Sequence, residues 1–134
     1  MAITINRKVR TFKDIGLDFL SHPATQDVVK VTDDSAIKQS LRSLIMTKNY
    51  ERPFHPEIGC QVNNLMFENI DYVSSNIIKR TITDTIENFE PRVKLINIEV
   101  IPLTSNNAIR INIEYTIVNT NVQETFTTIL QRLR

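Results

Sequence analysis

Apolar residues between Asp33 and Asn49 fall at Ile37, Leu41, Leu44 and Ile45, with Lys38, Gln39 and Arg42 among them. This spacing gathers the apolar side chains on one face of a helix that ends by about Asn49. Asp33, Asp34 and Ser35 offer N-cap oxygens and negative charge at its start. A second rhythm, Val73, Ile77, Ile78, Ile82, Ile86 and Phe89, predicts a longer helix from Tyr72 to Phe89 with Asp71 as its cap. Many of its residues are β-branched and poor helix formers, so it depends on tertiary packing. A short helix containing Leu65, Met66 and Phe67, capped by Asn63 or Asn64, precedes it.

After Pro91 the hydrophobic period drops to two. Ile96, Ile98 and Val100 share a face, and Leu95 beside Ile96 breaks the alternation and predicts a bulge. Pro102 ends this strand, and Ser105-Asn106-Asn107 offers turn chemistry. Ile109, Ile111, Ile113, Tyr115 and Ile117 then point inward against Arg110, Asn112, Glu114 and Thr116, as expected of a central strand. Asn119-Thr120-Asn121 turns the chain into a third strand, about Glu124 to Leu133, with Phe126 and Leu130 on one face. The prediction is an α+β fold: two main helices and a short one packed on a three-stranded antiparallel meander.

Residues 1–31 read as an N-terminal arm and residues 32–134 as one α+β domain. The arm has short apolar groups, Phe12, Ile15, Leu17, Phe19, Val28, Val29 and Val31, behind a basic start at Arg7, Lys8, Arg10 and Lys13. It either lies across another subunit or forms a loosely packed terminus. Tyr50 to Val62 contains Pro53, Pro56 and Gly59, which exclude a regular helix, so the stretch is an ordered loop with Phe54 and Ile58 tucked into the core. His55, between two prolines, serves as a loop hydrogen-bonder.

Composition narrows the chemistry. In 134 residues the net charge is +1, which argues against a broad phosphate-binding surface and hence against nucleic acid. No stretch approaches the ~20 apolar residues of a membrane span, so membrane insertion is not expected. The one cysteine, Cys60, suits a small buried hydrophobe, and no His or Cys partner is spaced for a metal site. With two glycines there is no phosphate-cradling loop, and no cofactor is expected.

Asn88-Phe89-Glu90-Pro91-Arg92 stands where helical rhythm gives way to strand rhythm. Proline lacks an N–H and drives the preceding residue out of the α region, so Glu90 is extended and two opposite charges sit on a stiff corner. Spacing alone leaves this either a helix stop with both charges in water or a binding site. Together with Arg52-Pro53-Phe54-His55-Pro56-Glu57-Ile58-Gly59-Cys60 upstream, the corner resembles the sheath-initiator wedge family of contractile phage baseplates, over roughly Asp34 to Leu133.

The resemblance implies a structural subunit of the virion's tail baseplate, present in the host cytoplasm during assembly. Glu90, Pro91 and Arg92 would dock on the helical core-bundle proteins of the wedge, and charge reversal at Glu90 or Arg92 is expected to leave a folded monomer that fails to incorporate. Arg52, Pro53, Phe54, Pro56, Glu57 and Gly59 form the ordered-loop motif. The open edge of the third strand, Thr125, Phe126, Thr127, Thr128, Ile129 and Leu130, would pair with strands of the tail sheath protein, so that the sheath polymerises from it. Either Thr127 or Thr128 directs its N–H outward; the opposite edge, near Arg92 to Ile101, and the arm are the other candidates for that pairing. Tail symmetry implies six copies per baseplate. The family also resembles the type VI secretion baseplate wedge subunit and a soluble anti-adaptor that binds a response regulator, and both stay open as alternatives. Related baseplate proteins have carried a lysozyme label, but that chemistry needs two carboxylates about 5 to 10 Å apart. Nothing in the sequence places any two of Glu57, Glu68 and Glu90 across a sugar-sized cleft, and the chain has no Trp to stack on a sugar, so an enzyme is not expected.

Overall fold

The computed structural model describes residues 11–67, 71–103 and 107–132. Arg7, Lys8, Arg10, Glu68, Ser105, Asn106 and Leu133 lie outside the described residues. The elements run β1 (Lys13–Ile15), β2 (Lys30–Thr32), α1 (Asp33–Met46), α2 (Val62–Leu65), α3 (Tyr72–Phe89), β3 (Val93–Leu103), β4 (Ala108–Ile117) and β5 (Gln123–Gln131). β1 and β2 form a two-stranded antiparallel ribbon, and a separate antiparallel sheet has the order β3-β4-β5.

The alternation in β4 dictates the core. Ile109, Ile111, Ile113, Tyr115 and Ile117 are all buried on one face. Ile37, Leu41 and Ile45 from α1 and Ile78, Ile82 and Ile86 from α3 pack on them. Burying each such side chain contributes about 1.5 to 3 kcal/mol, which supplies what the weak helix propensity of α3 lacks. Thr81, Thr83 and Thr85 turn their hydroxyls back onto the carbonyls of Ile77, Lys79 and Thr81, so their polar groups are satisfied within the helix. The Tyr115 hydroxyl donates to Asp34 at 3.0 Å, and Lys38 bridges Asp34 and Glu124 at 2.7 and 3.4 Å, fastening the start of α1 to β4 and β5. Burial of Tyr115 and its bond to Asp34 push the phenol well above its usual range.

Several expectations are corrected by tertiary contacts. The residue before α1 is Thr32, with no side-chain cap bond; Asp33 and Asp34 lie in the first turn and spend their carboxylates on other partners. The helix itself ends at Met46, within the expected limit of about Asn49. α2 follows Gln61 and not Asn63 or Asn64; Asn63 donates to the Met46 carbonyl instead, and Met66 and Phe67 fall beyond the helix. In α3, Val73 and Ile77 are exposed. One residue turns a helix by about 100°, so the single step from Ile77 to Ile78 changes face, and the buried stripe is Ile78, Ile82, Thr85 and Ile86.

In β3 the register slips between Leu95 and Asn97, as the broken alternation predicts. The bulge leaves Ile96 exposed while Leu95 and Ile98 face the helices, so Ile96 does not share the face of Ile98 and Val100. Pro102 does not end the strand, since β3 continues to Leu103 with Pro102 opposite Ile109. β5 spans Gln123 to Gln131, with Leu130 buried and Phe126 packed on the core.

Candidate functional site

The corner forms as proline chemistry requires. The Glu90 N–H closes the last turn of α3 on Ile86 at 2.9 Å, and Glu90 itself leaves the α region, at φ −126° and ψ 77°, though it stops short of the extended backbone expected of it. Its carboxylate, however, does not face water: Glu90 is 2% exposed. Arg92 Nε and Nη2 grip both of its oxygens at 2.6 and 2.7 Å, and Ser40 of α1 donates its hydroxyl to Oε2. The Arg92 guanidinium lies 5.7 Å from the centre of the Phe12 ring. Burial opposes ionisation of Glu90, but the hydrogen bonds from Arg92 and Ser40 together outweigh it and hold the carboxyl below its ordinary value. Arg92 is correspondingly raised, chiefly by Glu90. Of the three corner residues, Pro91 is exposed and Arg92 is partly exposed.

Sequence reasoning missed Ser40 and Phe12. Ser40 lies 50 positions from Glu90, and nothing local to it marks a carboxylate partner. Phe12 belongs to the arm, where its backbone exchanges hydrogen bonds with Asp33: its N–H reaches Asp33 Oδ1 at 3.0 Å and its carbonyl accepts from the Asp33 N–H at 2.8 Å.

The proline loop is ordered, but it presents Phe54 to solvent and not to the core. Tyr50 and Phe54 have φ of 68° and 70°, and the left-handed backbone at Phe54 turns the ring outward, 97% exposed. Bonds from Tyr50 N–H to the Pro56 carbonyl, from Lys48 N–H to Glu51, and from Cys60 N–H to the Thr47 carbonyl over-determine this shape. At Gly59, φ is 155° and an added Cβ would meet Lys48 backbone atoms at 2.7 Å, so only glycine fits. Ile58 is half-buried, and Cys60 is buried, which pushes its thiol up. His55 pairs with Glu57 at 3.2 Å, within the loop as expected. Arg52 and Pro53 are exposed on the same loop.

The ladder fixes which backbone groups each sheet edge offers. At one end of β4 and β5 the Ile117 N–H bonds the Val122 carbonyl, and beyond the other end the Arg132 N–H bonds the Asn107 carbonyl. Antiparallel alternation then makes Tyr115/Glu124, Ile113/Phe126, Ile111/Thr128 and Ile109/Leu130 the hydrogen-bonded pairs. Thr125, Thr127 and Ile129 therefore aim N–H and C=O away from β4. On the opposite side the Val118 N–H bonds the Arg92 carbonyl, and past the bulge Asn97, Glu99, Ile101 and Leu103 are the inward-bonding residues. Pro102 thus occupies an outward position where its missing N–H costs no ladder bond, which is why the strand runs through it. Among the described residues the β1-β2 ribbon pairs with neither edge.

Chain and fold are both similar to known proteins. The family model "Baseplate wedge protein gp25" matches residues 31–122. The chain belongs to this family. The match includes the corner and the loop and ends in the turn just before β5. A relative, the baseplate wedge protein gp25 of Enterobacteria phage T4, is 30% identical over 94 residues, covering 70% of this chain and 71% of its own length. In fold, the chain is similar to a crystal structure of a candidate tail lysozyme from Geobacter sulfurreducens, with TM-score 0.69 and 22% identity over 75% of this chain and 92% of that one. It is also similar to a chain in the sixfold-symmetrised baseplate of the anti-feeding prophage, with TM-score 0.64 and 22% identity over 90% and 86% of the two chains.

Among the described residues no helix is long and apolar enough to cross a membrane, and no group of three His, Cys, Asp or Glu side chains is placed to hold a metal ion.

Proposed function

We propose that this chain is a structural baseplate wedge subunit of a contractile phage tail that assembles with other baseplate proteins and starts the sheath by strand pairing along β5. The observation that carries the sheath role is the outward phase of Thr125, Thr127 and Ile129 on a strand with no proline and no described partner on that side. Pro102 makes the β3 edge the poorer template. The corner docks on the wedge core bundle through Pro91 and the accessible part of Arg92, with Glu90 as the group that fixes Arg92 in place.

The reading is non-enzymatic. Glu90 is locked in an ion pair and held ionised, the reverse of a general acid, and Glu57 sits in water on the loop. Six copies per baseplate are consistent with the sixfold symmetry of the similar anti-feeding prophage assembly. The phage relative favours a virion over a secretion apparatus, and the family match favours assembly over a soluble regulatory module. The protein would meet its partners in the host cytoplasm during assembly. Electron cryo-microscopy of intact particles tests the proposal: the chain is expected at the sheath-baseplate junction with a sheath strand beside β5, and its absence from that junction contradicts the reading.

A further inference from the structure

The N-terminal ribbon is fastened to α1. The Gln39 side chain donates to the Ile15 carbonyl at 2.8 Å and accepts from the Leu17 N–H at 3.4 Å, next to the Phe12-Asp33 clamp. Within the ribbon, Gly16 N–H bonds the Val29 carbonyl and Val29 N–H the Leu20 carbonyl. Yet Ile15, Leu17, Phe19 and Leu20 are 56, 59, 71 and 65% exposed. Four large apolar side chains within six residues, held outward by a bonded backbone, form a preformed apolar surface that the fold itself does not use.

Ile15, Leu17 and Phe19 of that surface line a groove of about 300 Å³ together with Gln39, Ser40 and Ser43 of α1 and Arg52 of the proline loop. Among the described residues Arg52 makes no hydrogen bond or ion pair. Asp14, also at the groove, accepts the Ile15 N–H on its carboxylate at 2.9 Å and adds to the field at Arg92, so the groove charge left without a hydrogen bond is the Arg52 guanidinium. An occupant complementary to this site brings apolar side chains to the ribbon and a carboxylate to Arg52, which guanidinium recognises in bidentate fashion. Ser40 both lines the groove and bonds the Glu90 carboxylate, so the occupant lies beside the corner.

We propose that this groove docks an apolar segment of a neighbouring baseplate protein, with an acidic side chain of that segment on Arg52. The inference rests on the wedge reading. The test uses wedges assembled from the particle's other baseplate proteins without this chain, titrated with fluorescently labelled full-length protein. Leu17→Asp with Phe19→Asp, and separately Arg52→Glu, are each expected to raise Kd by about tenfold or more. Phe19→Ala, which leaves the ribbon backbone bonds in place, is run alongside and is expected to weaken binding in the same direction. Unchanged Kd in all three overturns the groove while leaving the wedge reading standing, whereas failure of the unmodified chain to bind wedges removes both. Loss in the ribbon variants with Arg52→Glu unaffected overturns the carboxylate assignment. A dimer of the unmodified chain that the ribbon variants abolish, seen by light scattering, makes a second copy the occupant and overturns the proposal.

Discussion

Two ionisable pairs in this chain straddle a proline: Glu90 and Arg92 around Pro91, and His55 and Glu57 around Pro56. In each, side chains two residues apart meet across the ring, at 2.6 Å and 3.2 Å. Their surroundings differ. The Glu90 and Arg92 side chains are 3 and 24% exposed and receive a third partner from α1, whereas His55 and Glu57 are 66 and 57% exposed. The proline spacing makes the local pair in both places, but only the corner, closed over by Ser40 and Phe12, turns it into a structural tie between α1, α3 and β3. A buried ion pair resists loss of one partner because the other is left uncompensated, while an exposed one is replaced by water.

The largest effect is expected at Glu90. Glu90→Ala strands Arg92 and should lower unfolding free energy by about 3 kcal/mol, the low end for a broken buried pair because Arg92 keeps some access to water. Urea unfolding measures this. The same burial argues against the expected folded Glu90→Arg monomer: a second cation placed against Arg92 should impair folding, so exposed Pro91 is the cleaner probe of wedge docking. Next comes Ser40→Ala, which removes a hydrogen bond to a charged group and should cost about 1.5 kcal/mol.

A pH series sharpens the contrast. A carboxyl whose folded pKa is depressed contributes stability above its unfolded value of 4.5 and loses it as pH falls through the folded value. Stability of the unmodified protein should therefore fall more steeply below about pH 4.5 than that of Glu90→Gln, measured by thermal melts across the acid range. The smallest effect belongs to the loop pair: Glu57→Gln should leave the melting temperature unchanged, and a clear drop would erase the distinction between the two pairs.

What was legible in the sequence follows the same division between local and tertiary causes. The β4 alternation, the α1 stripe, the end of α3 at Phe89 and the bulge near Leu95 were readable because period and proline chemistry act within a few residues. The face of Val73 and Ile77 was misread because two apolar rows of α3 look continuous in one dimension, and only the sheet beneath selects one. Phe54 was misread because hydrophobicity does not reveal a left-handed backbone. At the corner, Glu90 and Arg92 stood out, but their burial did not, since Ser40 and Phe12 arrive from α1 and the arm. The phase of β5 was likewise open until its hydrogen bonds distinguished Thr127 from Thr128.

That phase allows the most direct test of the sheath role. Thr127→Pro removes an outward N–H and spares the β4 ladder, while Thr128→Pro removes a bond to Ile111 and damages the fold. The decisive measurement is sheath length on purified baseplates carrying Thr127→Pro, by electron microscopy with incorporation checked in the same sample. The account predicts folded protein, complete baseplates and no extended sheath; full-length sheath nucleated at the normal rate on baseplates that contain the variant contradicts strand pairing through β5.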